Sequence, residues 1–379
     1  MGLLLRRSST MVSLVRRSSS ARGKTVTRTR DELVQIACDE SGYEGEKLIG
    51  GMTDVFAHAS VRLDGVSATR CVQELRSRIR SPATEYKANH LLRDKHRSVL
   101  EWFLRPAGPL HRNARVYLVE KAFFIVSSVI DLLVEQVTHP ARMGLYQDHR
   151  ARAMMVTLYR QGRQAFGPER WQAFLASSND LLRVTDRVDE KASVDSFFRI
   201  VGGLRTFGTF DRVDEVVRLL RQGRPHVEAY RAQVRVDPTM TPVLDPLIPA
   251  IVRAVAYWGQ GRTPVSIVHD RQNTLSERRI GRLKEMVGTP HPAPGSAART
   301  HLADLALVES SSDPRVQLAD ILAGAARKIA SDQLGDRGDA ELTALLQPFV
   351  DEYSIWGDGP SSSRLGLRLP TRRAGAFAP

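Results

Sequence analysis

The chain has 379 residues, 42% of them hydrophobic, with two cysteines and a formal net charge of +13. That length and apolar content describe a globular protein with room for one large core or two ordinary ones. Cys38 and Cys71 exclude a disulfide framework, have no metal-type spacing, and fit a reducing, cytoplasmic setting.

The charge is unevenly spread. Residues 1–30 hold eight Lys/Arg and residues 361–379 hold four Arg, with no acid in either segment, so taking those twelve from the +13 leaves +1 for residues 31–360. Flexible basic ends attract phosphates in a salt-sensitive, sequence-independent way without defining a groove in the folded body. Residues 1–30 read as a disordered basic tail or an upstream-extended start, although their Arg- and Ser-rich, acid-free composition also suits a transit peptide. The longest apolar stretch, 122–134 (AFFIVSSVIDLLV), contains two Ser and an Asp. It is shorter than the ~20 residues that span a bilayer, so no membrane span is expected.

In chain order, residues 33–39 (LVQIACD) predict a strand and 52–63 its antiparallel partner, with the glycines between them forming a hairpin connection. Residues 66–79 predict an amphipathic helix with Cys71, Val72, Leu75 and Ile79 on its apolar face, stopped by Ser81-Pro82. A polar segment, 83–89, leads to a second helix over 90–104 that ends at Arg105-Pro106, and 114–119 predicts another strand. From 141 to 260 helical periodicity dominates, at 151–165, 171–182, 213–220 and 249–258, which reads as an all-helical insertion. Strand character returns at 264–270, followed by a helix over 274–286, a Pro/Gly-rich loop at 288–296 and a last strand at 302–308. Asp313-Pro314 opens a helix over 315–331, and a C-terminal helix with a basic tail fills 336–379.

Two predicted strands end in a carboxylate, Asp39 and Asp270, and strand ends are where ligands gather in an α/β sheet. On the helix over 315–331, Gln317 and Asp320 are three residues apart and share a face among apolar neighbours. In Thr84-Glu85-Tyr86-Lys87, alternation puts Glu85 and Lys87 on one side of an extended segment. Several carboxylates brought together raise at least one pKa unless a cation joins them, and oxygen-only ligands suit Mg2+ or Mn2+. Two such ions ~4 Å apart activate a water and stabilise the leaving oxygen in phosphodiester hydrolysis. Arginines at 278, 279 and 282 follow Asp270 closely enough to reach substrate phosphates, or simply line a solvated helix face.

Other readings stand beside these. Asp39 also suits a turn, Glu40 reads as its solvent-facing structural neighbour, and His269 faces opposite to Asp270 as a core histidine. No His-x-x-x-His spacing and no glycine-rich phosphate loop occurs, which disfavours a zinc hydrolase or a P-loop nucleotide hydrolase.

Four segments, Asp39-Glu40-Ser41-Gly42, Glu85-Tyr86-Lys87, Asp270-Arg271 and the stretch from Gln317 to Gly324 (QLADILAG), resemble the bacterial proteins grouped as domain-of-unknown-function family 3800. They frame residues 33–330, and the first and last motifs are the distinctive pair; the tails and the helical stretch lie outside the resemblance. It implies a ribonuclease H-like α/β fold, a mixed sheet flanked by helices, its core divided over 31–140 and 261–335 around the insertion at 141–260. It further implies Asp39, Glu85, Asp270 and Asp320 as catalytic, metal-binding acids, with Ser41, Lys87, Arg271 and Gln317 on the substrate side.

The expected function is therefore a divalent-metal-dependent nuclease acting on RNA, DNA or a hybrid. The alternative from another class is a non-catalytic binding or assembly protein that keeps the fold, takes a protein partner on its helical stretch and touches nucleic acid with its basic tails.

Overall fold

The computed structural model describes residues 33–80, 86–134, 149–184, 190–237, 240, 242–260, 263–288 and 301–367. Five strands, β1 (Val34–Ser41), β2 (Val55–Val61), β3 (Ala114–Glu120), β4 (Val265–Asp270) and β5 (Leu302–Val308), form one mixed sheet in the order β3-β2-β1-β4-β5. β1 and β2 pair antiparallel as the first predicted hairpin requires, β2 and β3 also pair antiparallel, and β1–β4 and β4–β5 pair parallel. The parallel pairs need long crossovers, and the helices supply them.

Those helices are α1 (Gly65–Ile79), α2 (Ala88–Leu91), α3 (Arg97–Leu104), α4 (Lys121–Leu133), α5 (His149–Phe166), α6 (Pro168–Leu182), α7 (Glu190–Gly203), α8 (Asp211–Gln222), α9 (Arg224–Val236), α10 (Leu247–Gly259), α11 (Glu277–Gly288), α12 (Pro314–Leu334), α13 (Ala340–Leu346) and α14 (Gly359–Arg364). None of the described helices is long and apolar enough to cross a membrane. Between α4 and β4 the described residues hold helices and no strand, as the periodicity over 141–260 predicts.

Alternation along the strands separates two apolar layers. Val55, Ala57, Ala59 and Val61 of β2 pack with Leu75 of α1, Phe103 of α3 and Leu318, Leu322 and Ala325 of α12. On the opposite face Ile36, Cys38 and Phe56 pack with Phe124 of α4, Ile251 of α10 and side chains throughout α5–α9. The helical stretch and the sheet therefore share one continuous apolar core.

Two predictions fail within the described residues. The segment 90–104 is not a single helix: α2 ends at Leu91, Arg93 is extended, a 3-10 turn covers Asp94–His96, and α3 then begins. Two separate anchors override the local period. Ala88 of α2 lies against Gly324 of α12, and Arg97 at the start of α3 donates to Asp339 and Glu341. The loop predicted at 288–296 lies, beyond Gly288, outside the described residues, as do 81–85 of the polar segment and the tails at 1–32 and 368–379. The C-terminal region contains two short helices, α13 and α14, in place of one.

Gly324 is where packing fixes the sequence most tightly. A Cβ there would lie 2.3 Å from the Ala88 Cβ, so only glycine lets α2 approach α12 this closely. Gly324→Ala is expected to destabilise the protein by about 1–3 kcal/mol in urea unfolding, and the double variant Gly324→Ala/Ala88→Gly to recover most of that loss. Equal losses in the single and double variants would show that this contact is not the constraint.

Candidate metal centre at the ends of β1 and β4

β1 and β4 run parallel with Cys38 opposite His269, which brings Asp39 and the terminal Asp270 to the same end of the sheet. Ala37, Val268 and Val316 form one apolar cluster, so Asp39 and Asp270, each two residues further along its strand, point to the α12 face. Asp320 follows Val316 by four residues and lies on the same side of α12. Three of the four expected acids thus lie at one end and on one face of the sheet, drawn from separate elements, although among the described residues no three His, Cys, Asp or Glu side chains stand close enough to hold one ion. Glu85, the fourth, lies outside the described residues.

Asp39 is 4% exposed and accepts a 2.7 Å hydrogen bond at Oδ1 from the Glu40 backbone N–H. Burial, reinforced by the charges of Glu40, Asp320 and Asp270, pushes its carboxyl up to about 9, against which the backbone donor is a minor counterweight. Asp320 is better compensated: its Oδ2 is 3.0 Å from the Lys87 ammonium, which the Ala88–Gly324 contact brings to the site. A cation has therefore settled on one carboxylate of the group, while Asp39 is held protonated by its surroundings.

The residues expected on the substrate side are placed unevenly. The Ser41 hydroxyl accepts from Arg327 Nε at 2.9 Å. Lys87 sits on Asp320 as described. Arg271 pairs with Glu309 on the surface, both side chains being more than half exposed, and Gln317 donates to the Ser311 carbonyl at 3.3 Å. Gly42 then turns the chain at φ +80; a Cβ at that position would meet the Val55 carbonyl at 2.4 Å. The loop beyond it is braced by the helical stretch, since Asn179 of α6 accepts from the Leu48 and Ile49 N–H groups and donates to the Glu46 carbonyl. Lys121 reaches the same loop through Glu44 and Thr53.

Glu40 and His269 occupy the opposite face, as alternation requires. Glu40 Oε1 accepts from the Gln272 side chain and its Oε2 lies 3.6 Å from His269 Nε2. His269 is fully buried; its Nδ1 donates to the Asp270 carbonyl at 2.9 Å, and its Nε2 lies 3.3 Å from His58 Nε2. Burial, together with His269, keeps the His58 imidazole well below its usual range, and burial raises the Glu40 carboxyl. These groups tie the end of β1 to the loop after β4 beneath the acids.

Arg327, Gln272 and His58 belong to the site although sequence motifs do not single them out. Arg327 had a usable signal, because it follows Asp320 by two helical turns on α12; Gln272 and His58 join the site only through sheet register. A cleft of about 560 Å³ between α5, α6 and the segment before α14 is lined by none of the acids.

Comparison of the chain with protein-family models, curated proteins and solved structures gives no match.

The raised carboxyls fix the direction of the pH dependence. Asp39 titrates at about 9 when folded against an ordinary 3.8, and buried Glu120 at about 8 against 4.5, so the folded chain binds more protons between those limits. Their contribution is complete below pH ~4 and is lost as the pH rises through about 8–9. Metal-free protein should thus lose thermal stability from pH 5 to pH 9. Asp39→Asn should flatten that slope and stabilise the protein by roughly 1–3 kcal/mol at pH 8 in urea unfolding. An Asn variant less stable than wild type at pH 8 would contradict the repulsion described.

Proposed function

We propose that this protein is a divalent-metal-dependent phosphodiester hydrolase acting on nucleic acid, with Asp39, Asp270 and Asp320 as ligands of Mg2+ or Mn2+. The observation that carries the reading is Asp39: a buried carboxyl at a strand end, raised to about 9 by burial and by Glu40, Asp320 and Asp270. Such an acid destabilises the folded chain at neutral pH, and displaced carboxyls with specific charged neighbours mark functional sites. A hard divalent cation suits an oxygen-only donor set and removes the repulsion.

The strand order β3-β2-β1-β4-β5, with its antiparallel and parallel halves, supports a ribonuclease H-like core, in which the helical stretch before β4 is an insertion. In that reading the ion supplies an activated water and stabilisation of the leaving oxygen. The chain's own residues do the rest. Lys87 holds Asp320 until phosphate or metal competes for it, Arg327 orients the Ser41 end of β1, and the Glu40–Gln272 contact keeps the Asp270 end of β4 beside Asp39.

One observation favours the second reading, a binding or assembly protein of the same fold. Among the described residues no three His, Cys, Asp or Glu side chains stand close enough to hold one ion together. The two readings separate in one experiment. The hydrolase predicts a Mn2+-dependent rise in melting temperature and metal-dependent cleavage of RNA or DNA, both lost in Asp39→Asn and Asp320→Asn, with cleavage down by at least about 10²-fold. A binding protein would show no Mn2+ shift and would hold nucleic acid equally well in both variants.

A further inference from the structure

α2 and the 3-10 turn after it form a basic segment beside the acid cluster, and the proposed hydrolase chemistry leaves most of it unused. Lys87 ties its start to Asp320 at 3.0 Å, and the Ala88–Gly324 contact holds the segment against the helix that carries that acid. From Lys87 through Lys95 the sequence is KANHLLRDK, with Asp94 its one acid. Arg93 and Lys95 are exposed and pair with no carboxylate among the described residues. Arg97, a few residues on, is the opposite case, tied to Glu101, Asp339 and Glu341.

The cations also crowd one another. Burial, followed by the charges of Lys95, Arg93 and His90, holds His96 below its ordinary range. A segment with more exposed cations than acids, held next to acids that suit a cation, matches the alternation of a phosphodiesterase site: metal at the reacting phosphate, basic side chains at its neighbours.

We propose that residues 87–95 form the face along which the sugar-phosphate backbone of the nucleic acid substrate lies, with Arg93 and Lys95 as its phosphate contacts. The inference rests on reading the acid cluster as a phosphodiesterase centre. It specifies where the polyanion leaves that centre: over α2 and toward α3. A phosphate backbone fits better than an acidic peptide, because a track that starts at metal-binding carboxylates must deliver a diester to the ion and keep further carboxylates away.

The test is binding by the full-length chain carrying Asp39→Asn, in EDTA, to short fluorescein-labelled single-stranded and duplex oligonucleotides over a sodium chloride series. Adding Arg93→Glu/Lys95→Glu should flatten the slope of log affinity against log salt by roughly 1.5, at about 0.7–0.9 for each phosphate that is no longer neutralised. The same charge change on α8, Arg212→Glu/Arg218→Glu, both exposed in the structure, should leave the slope unchanged. Polyglutamate should compete far less well than unlabelled oligonucleotide.

An unchanged slope in the 93/95 variant, equal flattening in both double variants, effective competition by polyglutamate, or no measurable binding before the charge reversals would each overturn the proposal. Melting temperature in the absence of metal checks that Arg93→Glu/Lys95→Glu folds. If it does not, Arg93→Gln/Lys95→Gln serves with the same expected direction. The Mn2+ shift of wild-type protein is read separately: its absence ends the hydrolase reading, whereas its presence beside an unchanged slope ends only the track.

Discussion

Asp39 stands on the strand where the two halves of the sheet meet, with β2 antiparallel on one side and β4 parallel on the other. α12 closes over its face, leaving the carboxyl 4% exposed beside Glu40, Asp270 and Asp320. Burial without an equivalent cation is unfavourable for the anion by about 1.4 kcal/mol for each unit of displacement. An Asn or Ser there would satisfy the backbone donor at Glu40 without this repulsion. In the proposed reading, β1, β4 and α12 hold these acids in place for a cation, at some loss of metal-free stability.

The rest of the molecule divides its work between the two faces of the sheet. Asp39, Asp270 and Asp320 lie on the α12 face, and Gly324, Ala88 and Lys87 bring α2 in to form the rim. On the other face Glu40, Gln272, His269 and His58 bind the strand ends to one another beneath that rim. The helical stretch between α4 and β4 belongs to this second layer. Its side chains continue the apolar core of β1 and β4, and Asn179 of α6 braces the loop that leaves the Ser41-Gly42 turn. The adjacent carboxylates of the Asp39-Glu40 pair therefore do different jobs: one faces the proposed metal and the other fastens the strand.

Much of this was legible in the sequence, for identifiable reasons. Strand alternation placed His269 opposite Asp270, and the apolar neighbours of Asp320 marked α12 as a buried helix. The two-residue strand period and the 3.6-residue helix period put His269 and Asp320 on the right faces, whereas Glu40, read as facing solvent, is held against Gln272 and His269. The break between α2 and α3 was not legible, because Leu91 and Val99 continue a helical period and the interruption comes from anchors on α12, Asp339 and Glu341. The neighbourhood of Asp39 and Asp270, which depends on a parallel pairing across more than two hundred residues of chain, was expected from the family resemblance and not from the hydrophobic pattern. Hydrophobic pattern identifies strands but not their partners; Gln272 and His58 were missed for that reason. Arg327 was a different kind of omission, since it lies two turns from Asp320 on the same helix.

The central claim is that the proton on Asp39 occupies the place of a metal ion, and calorimetry tests it most directly. Mn2+ is titrated into wild-type protein and Asp39→Asn at pH 7.5 in two buffers of different ionisation enthalpy, and the difference in apparent heat gives the protons released. The wild-type protein should release close to one proton per site as Mn2+ binds, because its carboxyl is protonated at that pH, and the Asn variant should release none. Mn2+ binding by wild type without proton release, or identical release from the variant, would contradict the claim that this buried carboxyl waits for a cation.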